Sequence, residues 1–191
     1  KKVTLNMIGK HNILNCLAAV TVGKILNIHS DNIKKALKNF SGIKRRFTLV
    51  KNFNGIKIYD DYAHHPEEIK ATLQIAKILK PKKVIVVFQP HRYSRFLNLY
   101  DDFKKILKNC DKLIVTDIYA AGETRINSIS KEKFVKDINK NKTNLAISLK
   151  KLNDLPKIIK KSAQSGDLVI FIGAGDITKW ANNLPKQLKN L

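Results

Sequence analysis

Five short segments of this chain gather side chains that bind anions or move protons. Asp60-Asp61-Tyr62-Ala63-His64-His65-Pro66 places two carboxylates and two imidazoles side by side. Such a set could ligate a metal or face a substrate, but neighbours on an extended chain point to opposite faces, so at most half of it can converge. The bland alternative is one Asp and one His satisfied by turn backbone. Gln89-Pro90-His91-Arg92-Tyr93-Ser94-Arg95 holds Arg92 and Arg95 three apart, which on the first turns of a helix puts two guanidinium groups on one face, beside the free N–H groups of the helix start. That fork suits a carboxylate or a phosphate, each charge-assisted hydrogen bond contributing roughly 1.5–3 kcal/mol; the alternative is a solvated surface pair. Gly173-Ala174-Gly175-Asp176 begins like a dinucleotide fingerprint, but Thr178 stands where the third glycine belongs and the turn follows the last apolar run, not the first. A tight strand-to-helix turn with Asp176 as N-cap is expected there. Gly9-Lys10-His11-Asn12-Ile13-Leu14-Asn15 sets Asn12 and Asn15 on one side of a helix start, where amides either cap or read a base edge. Gly42-Ile43-Lys44-Arg45-Arg46-Phe47 is a phosphate contact or a basic linker.

The elements around these segments follow from hydrophobic spacing. Leu14, Leu17, Ala18, Val22 and Ile25 recur at helical intervals over 11–28, and Ser30 is placed to cap a second helix over 31–39. Then the pattern changes. A strand is expected over 56–62, and Pro66-Glu67-Glu68 opens a helix with proline in its first turn and acids at its positive end. The wholly apolar 84–88 is a strand and 93–108 a helix. A strand at 113–116 follows, then a helix from Ser130 to 138, a short strand at 145–147, a helix over 155–163, a strand at 168–172 and a closing helix after Gly175. Strands apolar on both faces, alternating with amphipathic helices, indicate an α/β fold: a doubly wound, mostly parallel sheet. Ligands in such folds bind beyond the carboxyl ends of the strands, where three of the five segments lie. A domain boundary is expected at 41/42, the two leading helices being too small and open for a domain of their own.

The 191 residues are 43% hydrophobic and 27% charged, with 8 Gly and 5 Pro, which excludes a disordered or fibrous chain and leaves a soluble globular one. No apolar run approaches the roughly 20 residues of a membrane span. Cys16 and Cys110 lie far apart without C-x-x-C spacing, which favours a reducing cytoplasm over a disulfide framework. A formal net charge of +22 invites a nucleic-acid reading, yet only five of the 37 basic residues are Arg, two of them in the His91-Arg92-Tyr93-Ser94-Arg95 turn. Scattered lysines are better read as a solvated surface, since stacking and bidentate phosphate contacts call for planar groups.

In this order GKHNILN, GIKRRF, DDYAHHPEEI, VFQPHRYSR, DIYAAGE and GAGD resemble the second half of the Mur ligase family of peptidoglycan synthesis, and HRYSR resembles its alanine-adding branch. Ala63 stands where the family carries Gly. The resemblance implies a three-domain enzyme, with residues 1–41 as the last helices of the central ATPase domain and 42–191 as the Rossmann-like C-terminal domain. No G-x-x-x-x-G-K-[ST] loop occurs in the sequence, so the phosphate cradle and the Mg²⁺ ligands are expected upstream, no metal ligand is assigned here, and the isolated chain is expected to be inactive.

The implied reaction is ATP-dependent: phosphorylation of the carboxylate of UDP-N-acetylmuramate, then attack of the L-alanine amine on the acyl phosphate. On that implication His11, Asn12 and Asn15 lie by the nucleotide, Arg46 by the ATP phosphates and Asp61 on the ribose. Arg92 and Arg95 hold the alanine carboxylate, while Tyr62, His64 and His91 shape a pocket for its side chain. His64, His65 and His91 are given binding roles first; which of them, if any, takes the amine proton is left open, with His64 and His91 as candidates. The implied partners are L-alanine, UDP-N-acetylmuramate, ATP and the missing domains, in cis or as a separate chain, with no nucleic acid and no membrane insertion. Two competing readings stand: the relative that re-attaches a tripeptide, and a non-catalytic basic domain that binds nucleotide or RNA.

Overall fold

The computed structural model describes residues 3–40, 42–140 and 145–191, with every side chain among them except that of His11. The chain divides into two compact units, Lys1–Lys44 and Arg45–Leu191. The expected junction at 41/42 includes Ser41, which lies outside the described residues.

The first unit is a pair of helices, α1 (Lys10–Ile25) and α2 (Ser30–Asn39). They approach closely at Gly23, where a Cβ would collide with the Ile33 side chain. Ser30 is the first helical residue, not the cap: His29 takes that place and its Nδ1 accepts the Asp31 N–H at 3.4 Å. An imidazole one residue earlier supplies the acceptor that the hydroxyl was expected to give. Leu14, Leu17, Val22 and Ile25 are exposed within this unit.

The second unit is a six-stranded sheet covered on both faces. Its strands are β1 (Thr48–Phe53), β2 (Ile56–Asp61), β3 (Val84–Phe88), β4 (Lys112–Val115), β5 (Ala146–Ser148) and β6 (Leu168–Ile172). The spatial order is β1-β2-β6-β3-β4-β5, parallel except for the antiparallel pair β1–β2. The helices are α3 (Pro66–Ile78), α4 (Tyr93–Asn98), α5 (Tyr100–Leu107), α6 (Lys131–Asn139), α7 (Leu155–Ser162) and α8 (Ile177–Lys189). Alternate residues of each central strand feed opposite cores, as the pleat requires. Val86, Phe88, Val115, Ile170 and Ile172 pack with residues of α3 to α6, and Ile85, Val87, Ile114, Val169 and Phe171 with residues of α7 and α8. The doubly wound, mostly parallel sheet read from the sequence is the one observed.

The expected single helix over 93–108 is two, broken at Leu99. Tyr100-Asp101-Asp102 provides a second helix start, with acids in its first turn. The join is clamped by aromatic packing: Phe96 lies 4.9 Å from Phe134 and 6.2 Å from Phe88 between ring centroids, and Phe103 lies 5.4 Å from Phe88.

Strand β1 was not expected. It is joined to β2 by Asn54-Gly55, both at positive φ (49° and 83°), the two-residue turn that matches strand twist. A Cβ on Gly55 would press on the Ser165 side chain and backbone. Gly55→Ala should therefore cost about 1–2 kcal/mol, read as a lowered midpoint in thermal unfolding of this chain.

Candidate functional site

The site is a crevice formed by the loops beyond the carboxyl ends of β2, β3, β4 and β6. Its floor is tied together by Gln89, just past β3. The Gln89 amide donates from Nε2 to Asp176 Oδ1 at 2.6 Å, and its Oε1 accepts the Ile177 N–H at 3.3 Å. Asp176 does sit at the N-cap position of α8, but without a side-chain capping bond. Its carboxylate is taken by Gln89, which caps the helix from another strand. A Cβ on Gly175 would run into Gln89 and the Tyr119 ring, so the glycine is needed for this close approach.

The two aspartates after β2 diverge. Asp60 faces α8 and accepts the Thr178 hydroxyl at 3.1 Å. Asp61 is buried, with Oδ2 accepting the Phe47 N–H at 2.9 Å and Oδ1 the Ala63 N–H at 2.8 Å. Burial pushes both carboxyls above the ordinary range, at Asp61 against the opposing pull of those N–H groups, the Thr72 hydroxyl and Arg46. Each Asp61 oxygen holds the chain's own backbone, because the side chain is turned into the loop it organises.

Of the adjacent arginines, Arg45 turns inward. Its Nη2 donates to the Gly173 and Gly175 carbonyls, each at 3.2 Å, and its guanidinium lies 4.5 Å from the Tyr62 ring centre. Arg46 stays half exposed, 3.7 Å from Glu68 and 5.8 Å from the Tyr62 ring, with freedom to reach an outside anion. Glu68, in the first turn of α3, accepts the N–H groups of His64 and His65 at 3.0 and 3.2 Å. Burial raises its carboxyl, but those two donors, His64 and Arg46 together hold it below the usual range.

Four rings then line up across the crevice. Tyr62 and His64 meet edge to face at 5.2 Å between centroids, His64 and His91 lie 5.6 Å apart, and His91 stacks on Tyr119 at 5.5 Å. The Arg92 N–H donates to the Tyr119 carbonyl, and the Tyr119 N–H to that of Pro90, each at 2.8 Å, which joins the loops after β3 and β4. Arg92 is exposed at a left-handed φ of 69°. Arg95, partly buried on α4, places Nη1 3.2 Å from His91 Nδ1. Partial burial, then the nearby Arg95, His64 and Arg92, lower the His91 pKa against the pull of Glu123. Glu123 accepts both the N–H and the hydroxyl of Ser94, at 3.0 and 2.6 Å, fixing the turn that carries the two arginines. His65 is exposed at the start of α3 and outside the ring array.

The structure thus gathers Tyr62, His64, His91, Arg92 and Arg95, with Arg46 alongside. Asn12 and Asn15 belong to the first unit, three apart on α1, and the Asn12 amide donates to the Ile8 carbonyl at 2.8 Å. The His11 side chain lies outside the described residues. Sequence reasoning gave no role to Arg45, Gln89, Ser94, Tyr119 or Glu123; the DIYAAGE motif was the one available signal for the last two. A cleft of about 280 Å³ adjoins the site between Tyr119 and Trp180, lined by neither of the site histidines. Among the described residues no three His, Cys, Asp or Glu side chains are grouped to hold a metal ion. They do not fit a Mg²⁺ site. Among the same residues no helix is long and apolar enough to cross a membrane.

This sheet is that of one family of ligases: residues 45–175 match the Mur ligase, glutamate ligase domain, and the chain belongs to the Mur ligase family. It is 48% identical, over all its length, to the UDP-N-acetylmuramate–L-alanine ligase of Rickettsia bellii (strain OSU 85-389), and 50% identical to that of Rickettsia canadensis (strain McKiel). The chain spans about 41% of the length of each of these relatives. Among solved structures it resembles the UDP-N-acetylmuramate–alanine ligase of Thermotoga maritima, at 31% identity and a TM-score of 0.79 over 98% of this chain and 40% of that one. The murein peptide ligase of Psychrobacter arcticus 273-4 shares the fold at 24% identity and a TM-score of 0.73, over 99% of this chain and 39% of that one.

Proposed function

We propose that this chain is the amino-acid-binding part of an ATP-dependent ligase that joins L-alanine to UDP-N-acetylmuramate through an acyl phosphate, acting in the cytoplasm. The observation that carries the reading is the meeting of Arg92 and Arg95 with the row Tyr62, His64, His91 and Tyr119. Two guanidinium groups bind a carboxylate, and a wall of rings leaves room for a small side chain beside it. Its likeness to alanine-adding ligases along its whole length supports the choice of amino acid.

In this reading the second unit brings alanine to the acyl phosphate and excludes water, so positioning is its main contribution. Arg46 reaches the ATP phosphates, and His11, Asn12 and Asn15 serve the nucleotide. The first unit is the end of an ATPase domain, whose remainder covers the exposed leucines of α1 and supplies the phosphate cradle and Mg²⁺. Alone, the chain does not turn over.

An NMR titration with L-alanine, D-alanine and a short RNA tests the reading. L-Alanine should shift His64, His91 and Arg95, D-alanine much less, and Arg92→Ala should move the response to about 10- to 150-fold higher L-alanine, the loss of one charge-assisted hydrogen bond. RNA shifts that survive Arg92→Ala and fade steeply with salt would instead indicate a nucleic-acid-binding module.

A further inference from the structure

The two imidazoles that face each other across the crevice are wired differently. His64 Nδ1 lies 2.9 Å from the Tyr62 carbonyl oxygen. A carbonyl can only accept, so this nitrogen carries the hydrogen and the lone pair of the neutral ring is on Nε2. His91 Nδ1 lies 3.2 Å from Arg95 Nη1. A guanidinium can only donate, so this nitrogen is bare and the hydrogen of the His91 ring is on Nε2. One ring therefore offers a proton acceptor and its neighbour, 5.6 Å away between centroids, offers a donor.

We infer that these opposite tautomers divide the work on one bound amino acid: His64 Nε2 takes a proton from its α-ammonium, while His91 Nε2–H donates to its carboxylate beside Arg92 and Arg95. The inference rests on the amino-acid reading above and assigns the base within it. An ammonium has no lone pair, so the nitrogen must shed a proton before it can attack. With that proton on His64, the amine forms the C–N bond at the acyl carbon, the C–O bond to phosphate breaks with its electron pair on the phosphate oxygen, and the second nitrogen proton leaves on that phosphate. His64 later returns its proton to water.

The surroundings of the two rings fit their assigned jobs. Glu68 Oε2 stands 3.5 Å from His64 Nδ1, placed to stabilise the imidazolium as it forms, and Glu68 in turn faces Arg46. The other groups around His64 are the edge of Tyr62 and the ring of His91, with Arg92 and Arg95 beyond. His91 is unsuited to the same task. Protonating its bare nitrogen would set an imidazolium against a guanidinium, and its burial and cationic neighbours lower its pKa. Glu68 is a positioning residue, acting through His64.

The tautomers can be read directly from the imidazole ¹⁵N shifts of this chain, expected as Nδ1–H for His64 and Nε2–H for His91. Kinetics of the complete ligase give the second readout. Asn at position 64 keeps a donor for the Tyr62 carbonyl and Gln at position 91 keeps the outward N–H, so neither change empties the site. His64→Asn should lower kcat for L-alanine at pH 7 by about 10²-fold or more, and the deficit should shrink as rising pH supplies the free amine. Trapping of the acyl phosphate by hydroxylamine, already neutral at pH 7, should continue at the wild-type rate. Glu68→Gln should move the acid limb of kcat to lower pH, and His91→Gln should alter KM and leave the pH profile in place. The inference is overturned if both rings show the same tautomer, if His64→Asn turns over normally at pH 7, or if its deficit is the same at every pH. A wild-type ligase indifferent to L-alanine, with the ¹⁵N pattern as expected, would overturn the choice of substrate and leave the acceptor–donor pair standing.

Discussion

Replacing Arg95 or Arg92 by alanine in the complete ligase is expected to raise KM for L-alanine by about 10- to 150-fold, the loss of one charge-assisted hydrogen bond of roughly 1.5–3 kcal/mol. The two variants should differ in kind. Arg92 is exposed and holds no ring nitrogen, so its removal subtracts the proposed carboxylate partner and one of the cations near His91. Arg95 also holds His91 Nδ1 at 3.2 Å, so its removal frees that ring to change tautomer and should alter the pH dependence of alanine binding as well. Lysine at either position restores charge without the planar fork and should recover only part of the loss. Steady-state kinetics at varied alanine and saturating ATP check both. Unchanged KM in both variants would remove the carboxylate site from this crevice.

The second large effect concerns stability. Asp61→Ala leaves the N–H groups of Phe47 and Ala63 without the acceptors they have at 2.9 and 2.8 Å. At about 1–3 kcal/mol for each abandoned donor, the loss is about 2–6 kcal/mol. For a chain of this size each kcal/mol lowers Tm by about 2–4 °C, so thermal unfolding of this chain, without nucleotide, should show a drop on the order of 4–24 °C. Asp61→Asn keeps one acceptor and should fall in between. Undiminished Tm with weakened ATP binding in the complete ligase would give Asp61 the ribose contact in place of the structural role.

The strands at Val84–Phe88 and Leu168–Ile172 were legible because they are apolar on both faces, which only a sheet covered on both sides tolerates. Strand β1 was not, since it is an edge strand with Lys51 and Asn52 exposed and a bulge between Leu49 and Lys51 that breaks its alternation; the Asn54-Gly55 turn was the clue within it. At the site, the spacing of Arg92 and Arg95 and the run from Tyr62 to His65 were readable because both lie just past strands. Which of Arg45 and Arg46 faces in was not, because either order satisfies the local pattern and the choice is made by two carbonyls more than a hundred residues away. The same holds for Gln89, whose partners Asp176 and Ile177 come from another strand's end, and for the histidine tautomers, which only the neighbouring atoms decide.

Four of the seven non-glycine residues with left-handed φ among those described, Arg45, Phe47, Arg92 and Ala121, belong to the loops around this one crevice. Each such residue holds about 1–3 kcal/mol of backbone strain. At Arg92 the consequence is a conflict between sturdiness and recognition. Glycine would relax that turn and make the domain harder to unfold, but it would also remove one of the two guanidinium groups on which the proposed recognition of a carboxylate depends. Engineering this domain for heat tolerance should therefore steer around residue 92, where a gain in melting temperature is bought with the ability to choose a substrate.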